Sequence, residues 1–330
     1  MKTNKKYLVA AIMLTMGIVV FLAGFAVAGF DLKNIGTESP YEERYFTADG
    51  DVDFIWIKDS NMPIEFRSSD DDQIHILYFE NEETRYTIDS ENGSLKMRKN
   101  TNRKWFHWFF TIDFASWDTK VVVSIPRSYR GTIEVTTSNG RVEFSDIRTE
   151  QLTAGTSNAR IELRDVGITG DLKLENSNGS VLVNGVSVER DFFAQTSNAR
   201  ISVDKTEIGG NGVCRTSNGV IRVADSTAQS FDLDTNNGQI DLERMSAASD
   251  LSAETSNSDI QLTEADVGRS ITCISSNGDI KGSIVGKMED FSITSDTSNG
   301  KNNLPTHTDS GAKEADIRTS NASINIDFVK

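Results

Sequence analysis

The chain has 330 residues, a net charge of −15 and an isoelectric point near 4.7. Such acidity excludes a nucleic-acid binder, which needs a basic face to meet phosphates. Apolar residues are 37% of the chain and many sit in one N-terminal segment, which leaves the rest too polar for a thick globular core. Three His and two Cys offer little for a metal site or a disulfide framework, and no cofactor is expected.

Residues 1–6 form a short tail carrying Lys2, Lys5 and Lys6. Tyr7–Phe30 follows, 24 residues without a charge, long enough to cross a bilayer as one transmembrane helix. Lysines before it and Asp31, Glu38, Glu42 and Glu43 after it put the N-terminus in the cytoplasm and residues 31–330 outside. Ala26-Val27-Ala28 would suit a cleavage site, but the apolar run is long for a signal peptide, so an uncleaved signal anchor is expected. Residues 31–43 read as a linker.

Residues 44–130 contain strand-like runs, among them Gln73–Phe79, Arg85–Asp89 and Lys120–Pro126, but no repeating turn. They read as an irregular β cap that blunts an open sheet edge. Asp70-Asp71-Asp72 reads as a solvated turn, which is far commoner than a calcium site. Five large aromatics in six residues (Trp105, Phe106, Trp108, Phe109, Phe110) follow Arg103 and Lys104, with Lys96, Arg98 and Lys99 just before. They suit either a plug for the open end or an exposed contact with anionic lipid or a membrane-protein partner. Arg103, Lys104 and those five aromatics are the candidate contact residues.

Residues 131–330 repeat. Thr-Ser-Asn-Gly or a close relative recurs with Asn139, Asn158, Asn178, Asn198, Asn218, Asn237, Asn257, Asn277, Asn299 and Asn321, mostly 19 or 20 residues apart. Aligned on that Asn, apolar columns stand four residues before it and three and five after it, so each repeat reads strand, turn, strand. One such unit cannot bury its apolar face alone, whereas stacked units share a continuous core. The fold class expected is all-β, a β-solenoid (β-helix-like) of about 20 residues per rung behind the N-terminal helix. Ala159, Ala199 and Ser258 replace the Gly, which points to the Asn itself as the left-handed residue. The Asn column is read as structural. Cys214 and Cys273 each stand four residues before a turn Asn, three rungs apart and too far for a disulfide.

Little supports catalysis. His75, His107 and His307 lie in unrelated contexts, and Gly209-Gly210-Asn211-Gly212 lacks the Asp of a calcium-binding repeat. An N-terminal anchor, the run Lys120-Val-Val-Val-Ser-Ile-Pro126 and the Thr-Ser-Asn-Gly rungs together resemble the bacterial putative adhesin family over roughly residues 45–330. That resemblance implies a cell-envelope domain of unknown function built from β-strand repeats, with no catalytic residues to carry over. Some members are linked to envelope stress. The expected protein is a single-pass, non-catalytic binding, adhesin-like or scaffolding protein facing the cell exterior, held to membrane lipid by its anchor. Its partner would be an envelope polymer or a membrane protein, and nucleic acid is excluded. The alternatives are an envelope-stress regulator that binds a membrane partner and a polysaccharide-active β-helix enzyme. The rungs at Asn299 and Asn321 depart from the pattern, with 22-residue spacing, Asn302 in an apolar column and Pro305.

Overall fold

The computed structural model describes residues 13–23, 26, 40–48, 51–101 and 119–330. Residues 13–23 are helical. Among the described residues no helix is long and apolar enough to cross a membrane, and half of the expected span 7–30 lies outside them.

The rest is a β-solenoid with rungs about 20 residues apart. A regular rung has three sides where the sequence suggested two. Taking one as an example, Asn211–Thr216 lies on one long face, Ile221–Ala224 on the other, and Thr227–Ala228 forms a short third side. Each strand pairs in parallel with its equivalents in the neighbouring rungs, so Ile201, Ile221 and Ile240 lie in register. Parallel stacking places like residue over like, and the alternating inward side chains meet in one narrow core. All three apolar columns point inward, and Ala154, Leu174, Ala194, Cys214, Leu233, Ala253 and Cys273 are buried. Bulk is balanced along the axis, because Gly212 lies between Phe192 and Phe231 in successive rungs. A methyl group at 212 would stand 2.8 Å from the Phe231 ring, which accounts for one glycine of the Gly-Gly-Asn-Gly run.

The left-handed corner is not at the Asn. None of the turn Asn residues has positive φ; instead Asp146, Asp165, Gly185, Lys205, Asp225, Arg244 and Glu264 do, each at φ between 47° and 66°. They turn the chain from the second long face into the short side. The Gly of the repeat answers a different need. Cβ atoms at Gly179, Gly219 and Gly278 would stand 1.8, 1.6 and 1.8 Å from carbonyl oxygens of the rung below. The carbonyls they stand over belong to Ala159, Ala199 and Ser258, while Gly238 stands over that of Gly219.

The segment expected as an irregular cap contains two further rungs. Phe54–Lys58 and Ile64–Ser68 pair in parallel with Thr132–Thr136 and Val142–Ser145. Their turn, Asp59-Ser60-Asn61-Met62, is a disguised version of the repeat. Beyond them lie Ser94–Thr101 and Val121–Ile125, again parallel. Antiparallel strands close this end: Thr84–Glu91 on one long face, and His75–Glu80 followed by Glu42–Thr47 on the other.

Both ends break sequence order in the same way. The first rung, 54–68, is sandwiched between later ones. At the far end Lys313–Thr319 inserts between Ser270–Ser275 and Phe291–Thr297. The stacking order is therefore Asn277, Asn321, Asn299, a reversal of the last two. The outer edge of Phe291–Thr297 is covered by the chain around 306–308, where Ile293 exchanges backbone hydrogen bonds with Thr308.

Candidate binding surface

The turn residues build one continuous edge. Asn61, Asn139, Asn158, Asn178, Asn198, Asn218, Asn237, Asn257, Asn277, Asn321 and Asn299 stack in that order. Each side-chain amide donates from Nδ2 to the Oδ1 of the Asn in the next rung toward Asn61, at 2.7–2.9 Å. Within the turn the Thr hydroxyl is buried and works locally. Thr216 Oγ1 accepts the N–H of Gly219 at 3.1 Å, and Thr196 Oγ1 donates to the Gly179 carbonyl of the rung below at 3.0 Å. Such a column satisfies polar groups that a tight turn leaves facing the core. All ten Asn predicted from the sequence join it, and Asn61 is the one sequence reasoning missed. The signal for Asn61 was Asp59, two residues before it as Thr is elsewhere. Asp59 Oδ1 accepts the N–H groups of Asn61 and Met62 at 2.7 and 2.8 Å, while Tyr86 donates its hydroxyl to Oδ2. Burial and that carboxylate push the Tyr86 phenol well above its ordinary pKa.

The candidate contact residues Arg103, Lys104, Trp105, Phe106, Trp108, Phe109 and Phe110 lie outside the described residues. The place where their segment joins the solenoid is defined. Lys58 pairs with Arg98 and Ile64 with Val121, so 22 residues of sequence separate these two register positions where five, 59–63, separate them one rung in. Strand Ser94–Thr101 runs toward the Asn edge and Val121–Ile125 starts from it. Of the basic residues before the segment, Lys96 and Arg98 are exposed on the outer side of their strand.

Several charged groups are matched from rung to rung. Arg244 holds both carboxylate oxygens of Asp225, at 2.7 and 2.9 Å, and Arg269 does the same for Asp250. Hydrogen bonds from Arg269, Ser270 and Ser249 lower the Asp250 carboxyl to about 2. Asp70-Asp71-Asp72 lies in a turn, as expected. There His75 bridges Thr47, 3.0 Å from Nδ1, and Asp71, 2.9 Å from Nε2, a contact that also holds the Asp71 carboxyl down. Hydroxyl, imidazole and carboxylate in a row suggest a nucleophile relay. Here the imidazole is about one-third exposed and the carboxylate more than half, so water competes for every link. Among the described residues no three His, Cys, Asp or Glu side chains gather to hold a metal ion. Cys214 and Cys273 are buried three registers apart, and burial raises both thiols to about 12.

The family model described as Toastrack DUF4097 matches residues 52–328, which is the solenoid from its first rung to its last. The chain belongs to that family. Toastrack DUF4097 domains are thus what the Asn-edged rungs of this protein represent, in agreement with the expected kinship to putative adhesins of unknown function. No curated protein matches the chain. Among solved structures it is similar to a putative adhesin from Parabacteroides merdae, at 12% identity over 89% of this chain and 98% of that one, TM-score 0.42. It is also similar to a putative adhesin from Bacteroides fragilis, at 12% identity over 87% and 97%, TM-score 0.37. A third is a putative lipid binding protein from Parabacteroides distasonis, at 16% identity over 88% and 97%, TM-score 0.42.

Proposed function

We propose that this Toastrack protein is a membrane-anchored, non-catalytic binding or scaffolding protein of the cell envelope. The uncharged stretch Tyr7–Phe30 is its anchor, with the lysine tail in the cytoplasm and the solenoid outside. The observation that carries the binding role is that 22 residues of sequence separate Arg98 from Val121, whereas five separate their register partners Lys58 and Ile64. The other described rungs close their Asn edge with a tight turn, whereas the longer sequence here includes Arg103, Lys104 and the five aromatics clustered at 105–110. Long insertions on a rigid scaffold are where binding residues concentrate, and aromatics with Arg suit an interface core.

The test combines topology with capture. Protease added to intact, wall-stripped cells is expected to digest residues 31–330, and full protection would overturn the orientation. Crosslinking in intact cells should capture an envelope polymer or membrane protein on the wild type and lose it in the W105S/W108S variant. Equal capture by both would remove the aromatic segment from the binding role.

A further inference from the structure

We propose that the outer side of the first long face, at the N-terminal end of the solenoid, is a docking surface for an anionic membrane leaflet. The inference rests on the anchored reading above and uses residues separate from the aromatic segment. Ile55, Ile57, Leu95 and Met97 are buried, so alternation turns Phe54, Trp56, Lys58, Lys96 and Arg98 outward. Lys58 stands directly opposite Arg98 on the neighbouring parallel strand, and Trp56 stands opposite Lys96. Strands about 4.8 Å apart and residues two apart along a strand put the three cations within roughly 8 Å of one another. The cations are exposed and the two aromatics half-buried beside them.

Like charges directly opposite each other on a sheet destabilise it. Elsewhere Arg meets an acid on the next rung, as in Arg160 with Glu143, Arg215 with Asp232 and Arg222 with Glu243, although Asp234 and Glu254 also stand directly opposite each other. The three cations here have no such match. Among the described residues, Lys58, Lys96 and Arg98 form no ion pair, although Asp89 and Glu134 stand in register with Lys96 and Trp56. A layer of anionic headgroups would relieve that repulsion, while Trp56 sits well at headgroup depth. Position supports the same occupant. Glu42–Thr47, which follows the linker from the anchor segment, is the outermost strand of the other long face at this same end. The net charge of −15 repels the rest of the solenoid from an anionic leaflet, so this local basic patch would set which face of the rod meets it.

The experiment uses the full chain in nanodiscs of phosphatidylcholine, with or without phosphatidylglycerol, and reads lysine acylation rates by mass. Lys58 and Lys96 should react several-fold more slowly in the anionic discs, and high salt should restore their rates. Lys173, exposed on the same face farther along the rod, should react equally in both. In the K58Q/R98Q variant the protection of Lys96 should vanish. Equal rates at Lys58 and Lys96 in both discs, or slowing that extends to Lys173, would overturn the proposal while leaving the anchor intact. A chain that copurifies with neither disc would overturn the anchor, and the proposal with it.

Discussion

A methyl group at residue 219 would stand 1.6 Å from the Ala199 carbonyl oxygen, which is backbone and has nowhere to go. Gly219→Ala should therefore destabilise the protein by about 2 kcal/mol or more, as overpacking does. Asn218→Val next to it is milder. It removes the amide that donates to Asn198 and accepts from Asn237, a loss of about 1–2 kcal/mol at an exposed site. Thermal unfolding of both variants checks the order, and an unchanged Tm for Gly219→Ala would mean that adjacent rungs separate more easily than the stacking implies. The Asn column was legible in the sequence from its spacing alone. Its backbone conformation was not, because Ala at the fourth turn position is compatible with two explanations. The sequence suggested a left-handed Asn, whereas the structure uses an ordinary turn and mixes Gly with larger residues. The true left-handed corner was hidden because Asp146, Asp165, Lys205 and Arg244 look like any solvated charges.

Single elements hold together through charge as well as pattern. Asp250 opens its strand and is gripped by Arg269 from the following rung, with Ser270 and Ser249 adding hydrogen bonds. These contacts hold its carboxyl near 2, below the ordinary 3.8. A depressed folded-state pKa gives stability that is present above about 3.8 and is lost as pH falls toward 2. Asp146, Asp225 and Asp259 are lowered by Arg127, Arg244 and Lys281 and act in the same direction, so the contribution is isolated by difference. The Tm gap between wild type and Arg269→Gln should be present at pH 7, shrink below pH 4 and close near pH 2. It should also narrow in high salt, since these groups face solvent. A gap that stays constant down to pH 2 would assign the effect to packing of the Arg stem. The long strands were legible because alternation marks them, but the short side was not. Two-residue strands such as Thr227–Ala228 leave no periodic trace.

The whole rod adds one feature that no repeat pattern could carry. Equivalent rungs share a register, so the sequence says that they stack and not which neighbour each one takes. The rung 54–68 stayed hidden for a related reason, since Asp59 and Met62 stand where Thr and Gly stand elsewhere. The contact residues 103–110 were legible only as composition. Interleaving at both ends has a physical consequence. A terminal strand normally frays, because only one of its edges is hydrogen-bonded. Here Phe54–Lys58 and Lys313–Thr319, the first and last strands of the first long face in sequence, are bonded on both edges. The strand Glu42–Thr47 pairs on one edge, with His75–Glu80. Native-state hydrogen exchange should therefore find 54–58 and 313–319 nearly as protected as the central strand Asn211–Thr216. Glu42–Thr47 should exchange fastest, and Phe291–Thr297 should fall between, since the 306–308 segment covers its outer edge. Exchange at 313–319 as fast as at 42–47 would mean that the last rung opens on its own and that the interleaving does not lock the end of the rod.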